Sequence, residues 1–270
     1  MTSPLKNAIY IVATPIGNLA DITQRAINIL QSVNKIAAED TRHSKQLLSH
    51  LGINTPLIAL HEHNERDLSA SLLAEVQQGA AIALISDAGT PLISDPGYYL
   101  VRTAHAQGIK VIPIPGPSAV ICALSASGLA TDRFSFEGFL PAKAQARLND
   151  LHKLATEPRT MVFYESPHRV LDTVQAMLEV FGPERKVSMA RELTKQFETI
   201  FHGRLEDLVT FVAGDSNQQR GEIVLMVEGA ETAVDKFDLH PEAERILAIL
   251  LQDLSVKQAV SLAVEITGVQ

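Results

Sequence analysis

Residues 86–97 read Ser-Asp-Ala-Gly-Thr-Pro-Leu-Ile-Ser-Asp-Pro-Gly, so a Ser-Asp pair occurs twice in one short stretch rich in Gly and Pro. Asp87 is an acceptor suited to hydroxyls or an ammonium, and it is equally suited to stabilising a turn. Gly89 would let a ligand approach the backbone closely. Cations collect in Arg42-His43-Ser44-Lys45, in Glu165-Ser166-Pro167-His168-Arg169 and in Arg191-Glu192-Leu193-Thr194-Lys195. Arg42, His168, Arg169, Arg191 and Lys195 could contact a phosphate backbone. The same segments could instead be helix starts, with Ser166 as N-cap and Pro167 behind it. His61-Glu62-His63-Asn64-Glu65 has an alternating His pair but no Cys partners, so a polar contact surface is expected there and no metal site.

The elements that position these residues follow one pattern. Apolar runs at Ala8–Ala13, Lys35–Ala38, Ala80–Ile85, Lys110–Ile114, Thr160–Tyr164 and Val187–Ala190 each end in one of the polar clusters. Runs without polar alternation read as strands covered on both faces of a parallel sheet. The clusters therefore fall at carboxyl ends of strands, where open α/β sheets bind ligands. Helical periodicity is predicted over 21–31, 65–78, 98–107, 142–154 and 169–181, with Gly79, Gly108 and Gly182 as C-caps. Such alternation predicts βαβ units and mostly parallel sheets. The aromatic, alternating stretch Phe134–Phe139 begins a second sheet. Ser94-Asp95-Pro96-Gly97 is expected to serve only as the turn and N-cap that launch the helix at Tyr98.

The first strand-to-helix turn, Thr14-Pro15-Ile16-Gly17-Asn18-Leu19, is not Gly-x-Gly-x-x-Gly, and no P-loop is present. That argues against ordinary dinucleotide or NTP binding and leaves a nucleoside-like ligand held by carboxyl-end loops. With 46% hydrophobic and 20% charged residues, the chain can bury two medium cores. Nothing resembles a signal peptide, and no apolar stretch approaches the roughly 20 residues a membrane span needs. A soluble, cytoplasmic protein with no membrane contact is expected. The single cysteine, Cys122, excludes an internal disulfide and is expected to pack in the core. A formal net charge of −8 argues against a generic nucleic-acid coat but not against a local basic face.

Boundaries are expected near Gly116-Pro117 and near 235–238. They give an N-terminal α/β domain over 1–116, a C-terminal α/β domain over 117–234 and a helical tail over 235–270. The tail holds two helices, 242–252 and 256–266, with Ser255 capping the second. A helix-turn-helix is possible there. Without a basic face, packing or an oligomer contact fits better than direct nucleic-acid reading.

Thr14-Pro15-Ile16-Gly17-Asn18-Leu19, Ala38-Glu39-Asp40-Thr41-Arg42, Leu60 to Glu65, Ser86 to Pro91, Pro115-Gly116-Pro117-Ser118-Ala119, Tyr164 to Arg169 and Arg191 to Lys195 together resemble one family, in order along nearly the whole chain. It is the ribosomal RNA small subunit methyltransferase I family, of the tetrapyrrole methylase-like (class III) superfamily. The resemblance implies two α/β domains with S-adenosyl-L-methionine in the cleft between them. It also implies 2′-O-methylation of a decoding-centre cytidine in 16S rRNA, and a homodimer. Donor contacts carried over from the superfamily fall on Pro15, on Asp87 with Thr90, on Ser118 with Ala119, and on Tyr164. The superfamily's Gly-Asp-Pro loop appears here as Ser86-Asp87-Ala88, a departure that keeps the Asp but alters the loop around it. The residues themselves agree on location, since Gly89 permits close approach and a helix opening at Ser118 offers free N–H groups.

Methyl transfer to a ribose hydroxyl requires alignment and a proton acceptor. Asp40, Glu165 and Lys195 are the candidates for catalytic acid or base. Arg42, His168, Arg169 and Arg191 are candidates for binding RNA phosphate or a developing alkoxide. The acidic total implies that isolated RNA binds weakly and that the acceptor is presented on the small ribosomal subunit. Two alternatives share parts of this pattern. One is a tetrapyrrole or diphthine-type methyltransferase, and the other is a binding module without catalysis.

Overall fold

A computed structural model describes residues 6–230 and 241–268. The expected boundary at 235–238 lies outside the described residues. The first half carries β1 (Ala8–Val12), α1 (Gln24–Ser32), β2 (Lys35–Ala38), α2 (Thr41–His50), β3 (Leu57–Ala59), α3 (Glu65–Gln77), β4 (Ala81–Ile85), α4 (Tyr98–Ala106) and β5 (Lys110–Ile114). Its five strands run parallel in the order β3-β2-β4-β1-β5.

Alternation of side chains along a strand explains why β4 is apolar throughout. Ala81, Ala83 and Ile85 pack on one face beneath α1 and α2 residues such as Leu30 and Leu48. Ile82 and Leu84 pack on the other beneath α3 and α4 residues such as Leu72, Leu73 and Leu100. The helices that follow the neighbouring strands β1 and β4 thus lie on opposite faces. A crevice must open between the loops that leave those two strands.

The second half carries α5 (Ala119–Ser127), β6 (Phe134–Phe139), α6 (Ala144–Lys153), β7 (Thr160–Glu165), α7 (Val170–Phe181), β8 (Lys186–Arg191), β9 (Thr199–Arg204), α8 (Leu205–Gly214) and β10 (Ile223–Val227). The strand order is β6-β7-β10-β8-β9. Here the expectation of a mostly parallel sheet is overturned. Only β6 and β7 pair in parallel, while β10 runs antiparallel to both β7 and β8, and β8 to β9. The hairpin β8–β9 and the late insertion of β10 between β7 and β8 cause this. β9 alternates half-buried and exposed residues, as a one-face edge strand does.

One face of this sheet is covered by α6, α7 and α8. The other receives α5 through Val120, Ala123 and Leu124, and that cluster also includes Ile16 from the loop after β1. The Ile16 side chain of the first half is therefore anchored in the core of the second. Cys122 does not join that core. It is exposed on the outer side of α5, because Val120, Ala123 and Leu124 occupy the inward positions, and burial followed by Asp21 and Glu198 pushes its thiol up. The tail forms α9 (Pro241–Leu250) and α10 (Val256–Thr267), and the Ser255 hydroxyl donates to Gln258 Oε1 at 2.7 Å. No described helix is long and apolar enough to cross a membrane.

Candidate active site

The loops leaving β1 and β4 are joined by a two-way backbone pair. Thr14 N–H donates to the Gly89 carbonyl at 2.8 Å, and Gly89 N–H donates to the Thr14 carbonyl at 3.1 Å. Gly89 has φ 79°, a left-handed conformation that favours glycine, and a Cβ there would press on Ile16 Cγ2 at 3.3 Å. Thr90 Oγ1 donates to the Pro117 carbonyl at 3.0 Å, tying the same loop to the chain that enters α5. These bonds hold the first half's loops against the start of the second half.

Between them lies a cavity of about 320 Å³. One wall comes from Ile16, Ala88–Thr90 and Ile93–Asp95, and the other from Ser118, Ala119, Phe139, 164–167, Leu193 and 221–224. Gly89, Thr90, Ser118, Ala119, Tyr164 and Glu165, all singled out from sequence, meet in this one cavity. Pro15 and Asp87 are not in its wall. Pro15 is buried beside it, and Asp87 Oδ1 accepts the Asp40 N–H at 3.1 Å, which ties the loop after β4 to the loop after β2.

Tyr164 stands edge-on to Phe136, with ring centroids 4.9 Å apart, and leans on Phe139 at 5.6 Å. Burial, reinforced by the charge of Asp95, pushes its hydroxyl up to about 12, although the Val120 N–H opposes the shift by hydrogen bonding to it. The first turn of α5 is therefore fastened to β7 through Tyr164.

The remaining candidates separate by burial. Glu165 is enclosed, with Oε1 accepting from the Ser166 N–H and from Arg169 Nη2, both at 2.6 Å, and Oε2 accepting from Thr173 Oγ1 at 2.6 Å. Arg169 also reaches Ser166 Oγ and the Leu140 carbonyl. The Ser166 hydroxyl is thus taken by Arg169, and α7 begins beyond Arg169, so the expected N-cap at Ser166 is not formed. Arg191 is buried, and its guanidinium serves Gln218, Thr199 and the carbonyls of Phe197 and Arg220. Lys195 bridges Glu192 at 2.7 Å and Glu222 at 2.9 Å, and its stem fills the space where a Cβ on Gly17 would fall. Arg42 and His168 are exposed. Hydrogen bonds from the Arg42 side chain and backbone hold the Asp40 carboxyl down at about 2.

The second Ser-Asp pair does more than turn the chain. Ser94 and Asp95 line the cavity, and the N-terminus of α4 is capped from elsewhere. Glu65 Oε1 accepts from the N–H groups of Gly97, Tyr99 and Leu100 at 3.1, 2.7 and 3.2 Å. The N-cap position of α4 does fall within this segment, at Gly97, which has φ 121°, no side chain to cap with and a missing Cβ that makes room for Leu84. Asp95 was legible as half of a repeat, but its placement depended on Glu65, distant in sequence, taking over the cap. Ile16, Leu193, Gly221 and Glu222 carried no signal of their own.

The lining combines apolar Ile16, Ile93, Leu193 and Val224 and the Tyr164 side chain with polar residues, among them Thr90, Ser94, Asp95, Ser118, Ser166 and Glu222. That mixture and volume suit a small ligand with a flat apolar portion and polar ends. An adenosyl group with a short charged chain is of that kind, so the residues present fit S-adenosyl-L-methionine.

The family model described as Tetrapyrrole (Corrin/Porphyrin) Methylases matches residues 8–209, and one described as RsmI C-terminal HTH domain matches 238–270. The chain is 55% identical over 262 residues to Ribosomal RNA small subunit methyltransferase I of Pseudomonas aeruginosa, covering 97% of this chain and 93% of the relative. The protein of that name from Escherichia coli O157:H7 is also 55% identical, with 97% and 91% covered. That from Mesorhizobium japonicum is 47% identical, with 99% and 90% covered. Among solved structures, a diphthine synthase aligns with TM-score 0.62 at 12% identity, covering 82% of this chain and 90% of that one. A uroporphyrin-III-C-methyltransferase from Thermus thermophilus aligns with TM-score 0.56 at 20% identity, covering 83% and 94%. These structures share the fold, and the sequence relatives match over nearly the whole length. The chain belongs to the ribosomal RNA small subunit methyltransferase I family, within the tetrapyrrole methylases.

Proposed function

We propose that this protein methylates the ribose 2′-oxygen of a decoding-centre cytidine in 16S rRNA, using S-adenosyl-L-methionine, on the assembled small ribosomal subunit in the cytoplasm, and that it works as a homodimer. The observation that carries the donor assignment is the cavity between the two halves, where the paired loops after β1 and β4 face the first turn of α5 and Tyr164. The sequence relatives, named for small-subunit rRNA, support the acceptor.

When bound, the donor supplies an electrophilic methyl group. Gly89, Thr90, Ser118, Ala119 and Tyr164 hold it, with Pro15 and Asp87 supporting the loops from behind. Orientation by two rigid walls supplies much of the acceleration expected of a displacement reaction. Glu165 with Arg169, and Arg191 with Gln218, keep the second half's loops in place from inside. Lys195 fixes Glu222 at the cavity wall and packs against Gly17 across the cleft. Arg42 and His168 remain available to phosphate, and Asp40 orients Arg42. The tail over 235–270 is a further contact to the subunit or to a second copy.

Labelled donor supplied with small subunits, naked rRNA, a tetrapyrrole precursor and a diphthine-precursor protein tests this directly. Label on a cytidine 2′-oxygen of the small subunit is the expected result. Label on a base, a tetrapyrrole or the protein would move the chain to another acceptor class.

A further inference from the structure

Beside the donor cavity, and outside its wall, the first turn of α4 carries two tyrosines in a row. Tyr98 stands three positions beyond the cavity-lining Asp95, so their Cα atoms lie at most about 11 Å apart. The Tyr98 ring is 67% exposed, and no other protein ring packs on it among the described residues. Tyr99 is 37% exposed, with the Arg66 guanidinium of α3 lying 5.9 Å from the centre of its ring. Arg102, also exposed, follows Tyr98 by four residues and so shares its face of α4. Neither Arg66 nor Arg102 forms an ion pair among the described residues.

This turn is held rigidly. Glu65 Oε1 accepts from the N–H groups of Gly97, Tyr99 and Leu100, and Leu100 and Ala104 are buried in the core that includes Ile82 and Leu84 of β4. With those backbone donors taken by Glu65, what the surface offers a partner is its side chains, two aromatic rings between two cations.

We propose that Tyr98, Tyr99, Arg66 and Arg102 form a stacking platform that receives an unpaired RNA base next to the nucleotide being methylated. This rests on the rRNA acceptor proposed above and names a surface that selects it. A ribose hydroxyl reaches a methyl group inside a cavity only if its nucleotide is drawn out of the neighbouring stack, which leaves an adjacent base without a partner. An exposed tyrosine ring replaces the lost stacking whatever the base, and arginines beside it meet the phosphates on either side. The charged neighbours of Tyr98 set this surface apart from a contact between two protein copies, whose centre is depleted in charge.

Tyr98→Ala, Tyr98→Phe and Arg102→Ala are to be compared with wild type in steady-state methyl transfer to small subunits and in subunit binding across a range of salt. Donor affinity by calorimetry, thermal unfolding and sedimentation accompany them. Tyr98→Ala should raise the KM for subunits about 5- to 150-fold with kcat within about threefold, since the stack is made equally before and during transfer. Its salt slope should equal that of wild type because no charge is removed, whereas Arg102→Ala should lower the slope by about 1. Tyr98→Phe should keep the wild-type KM, because stacking needs the ring and not the hydroxyl. An unchanged KM in Tyr98→Ala, an equal rise in Tyr98→Phe, or loss of donor affinity as the main defect overturns the proposal. If Tyr98→Ala does not fold, Tyr98→Leu keeps the bulk without the ring, and a wild-type KM there overturns it instead. A changed oligomeric state in Tyr98→Ala would give the surface to a second copy of the chain and overturn it as well. A wild-type enzyme that labels no small-subunit RNA removes the acceptor reading and the platform together. Normal labelling with an unchanged KM in Tyr98→Ala removes only the platform.

Discussion

Two carboxylate–arginine pairs occupy matching places, each at the carboxyl end of a strand. Asp40 and Arg42 follow β2, with 3.0 Å between them, and Glu165 ends β7 with Arg169 just beyond it, at 2.6 Å. In the first pair the arginine side chain is 90% exposed, whereas in the second the carboxylate is 1% exposed. Burial changes what the same two residue types can do. Glu165 has been taken out of water and satisfied on every side, so it fastens β7, the Ser166 turn and α7 to one another. Arg42 is steered by one contact and otherwise left to solvent, where a phosphate could compete for it.

The largest effect should come from breaking the closed pair. Glu165→Ala leaves Arg169 half-buried without its counter-charge and Thr173 without its acceptor, which should cost about 3–5 kcal/mol in denaturant unfolding. An unfolding midpoint equal to wild type would erase the distinction between the two pairs. Tyr164, next along β7, extends the test to alkaline pH. Its folded value of about 12 exceeds the ordinary 10.0, so the folded state binds the extra proton in that window. Stability from this group is therefore complete below pH 10 and lost as pH rises toward 12. Tyr164→Phe should remove that loss, as ultraviolet titration alongside unfolding would reveal.

Breaking the open pair should leave the fold alone. Arg42→Ala should unfold at the wild-type midpoint yet bind small subunits less tightly, with the salt slope of binding reduced by about 1. An unchanged slope would mean that the exposed cation meets no phosphate. The smallest effect is local. The Asp40 carboxyl, held down at about 2 beside Arg42, should rise toward 3.8 in Arg42→Ala, and NMR titration of both proteins checks this.

This contrast was not legible in the chain. Strand, polar cluster and helix recur at both places, and the apolar runs and periodicity located β1, β2, β4, β5, β6, β7 and β8 and most helices. The direction of the strands in the second sheet escaped, since β10 enters between β7 and β8 through contacts far apart in sequence. Thr90, Ala119 and Tyr164 could be named only through the family resemblance, whereas Gly89 and Ser118 also carry their own signal, as a close-approach glycine and a helix start at strand ends. The place of Asp95 in the cavity wall was not legible, because the cap of α4 comes from Glu65, more than thirty residues earlier in the chain. Arg191 resembled a ligand-binding cation for a similar reason, as its partners Gln218, Thr199 and Phe197 lie on other elements.

The claim that joins these regions is that the cavity between the halves, and not the exposed cationic loop, holds the methyl donor. Ala119→Trp would place a large ring in the wall of that cavity, at the start of α5. Calorimetry with S-adenosyl-L-methionine should then show no binding to Ala119→Trp and wild-type affinity for Arg42→Ala, with the unfolding midpoints of both variants unchanged in the absence of donor. Wild-type affinity in Ala119→Trp, or lost affinity in Arg42→Ala, would place the donor elsewhere and contradict the account.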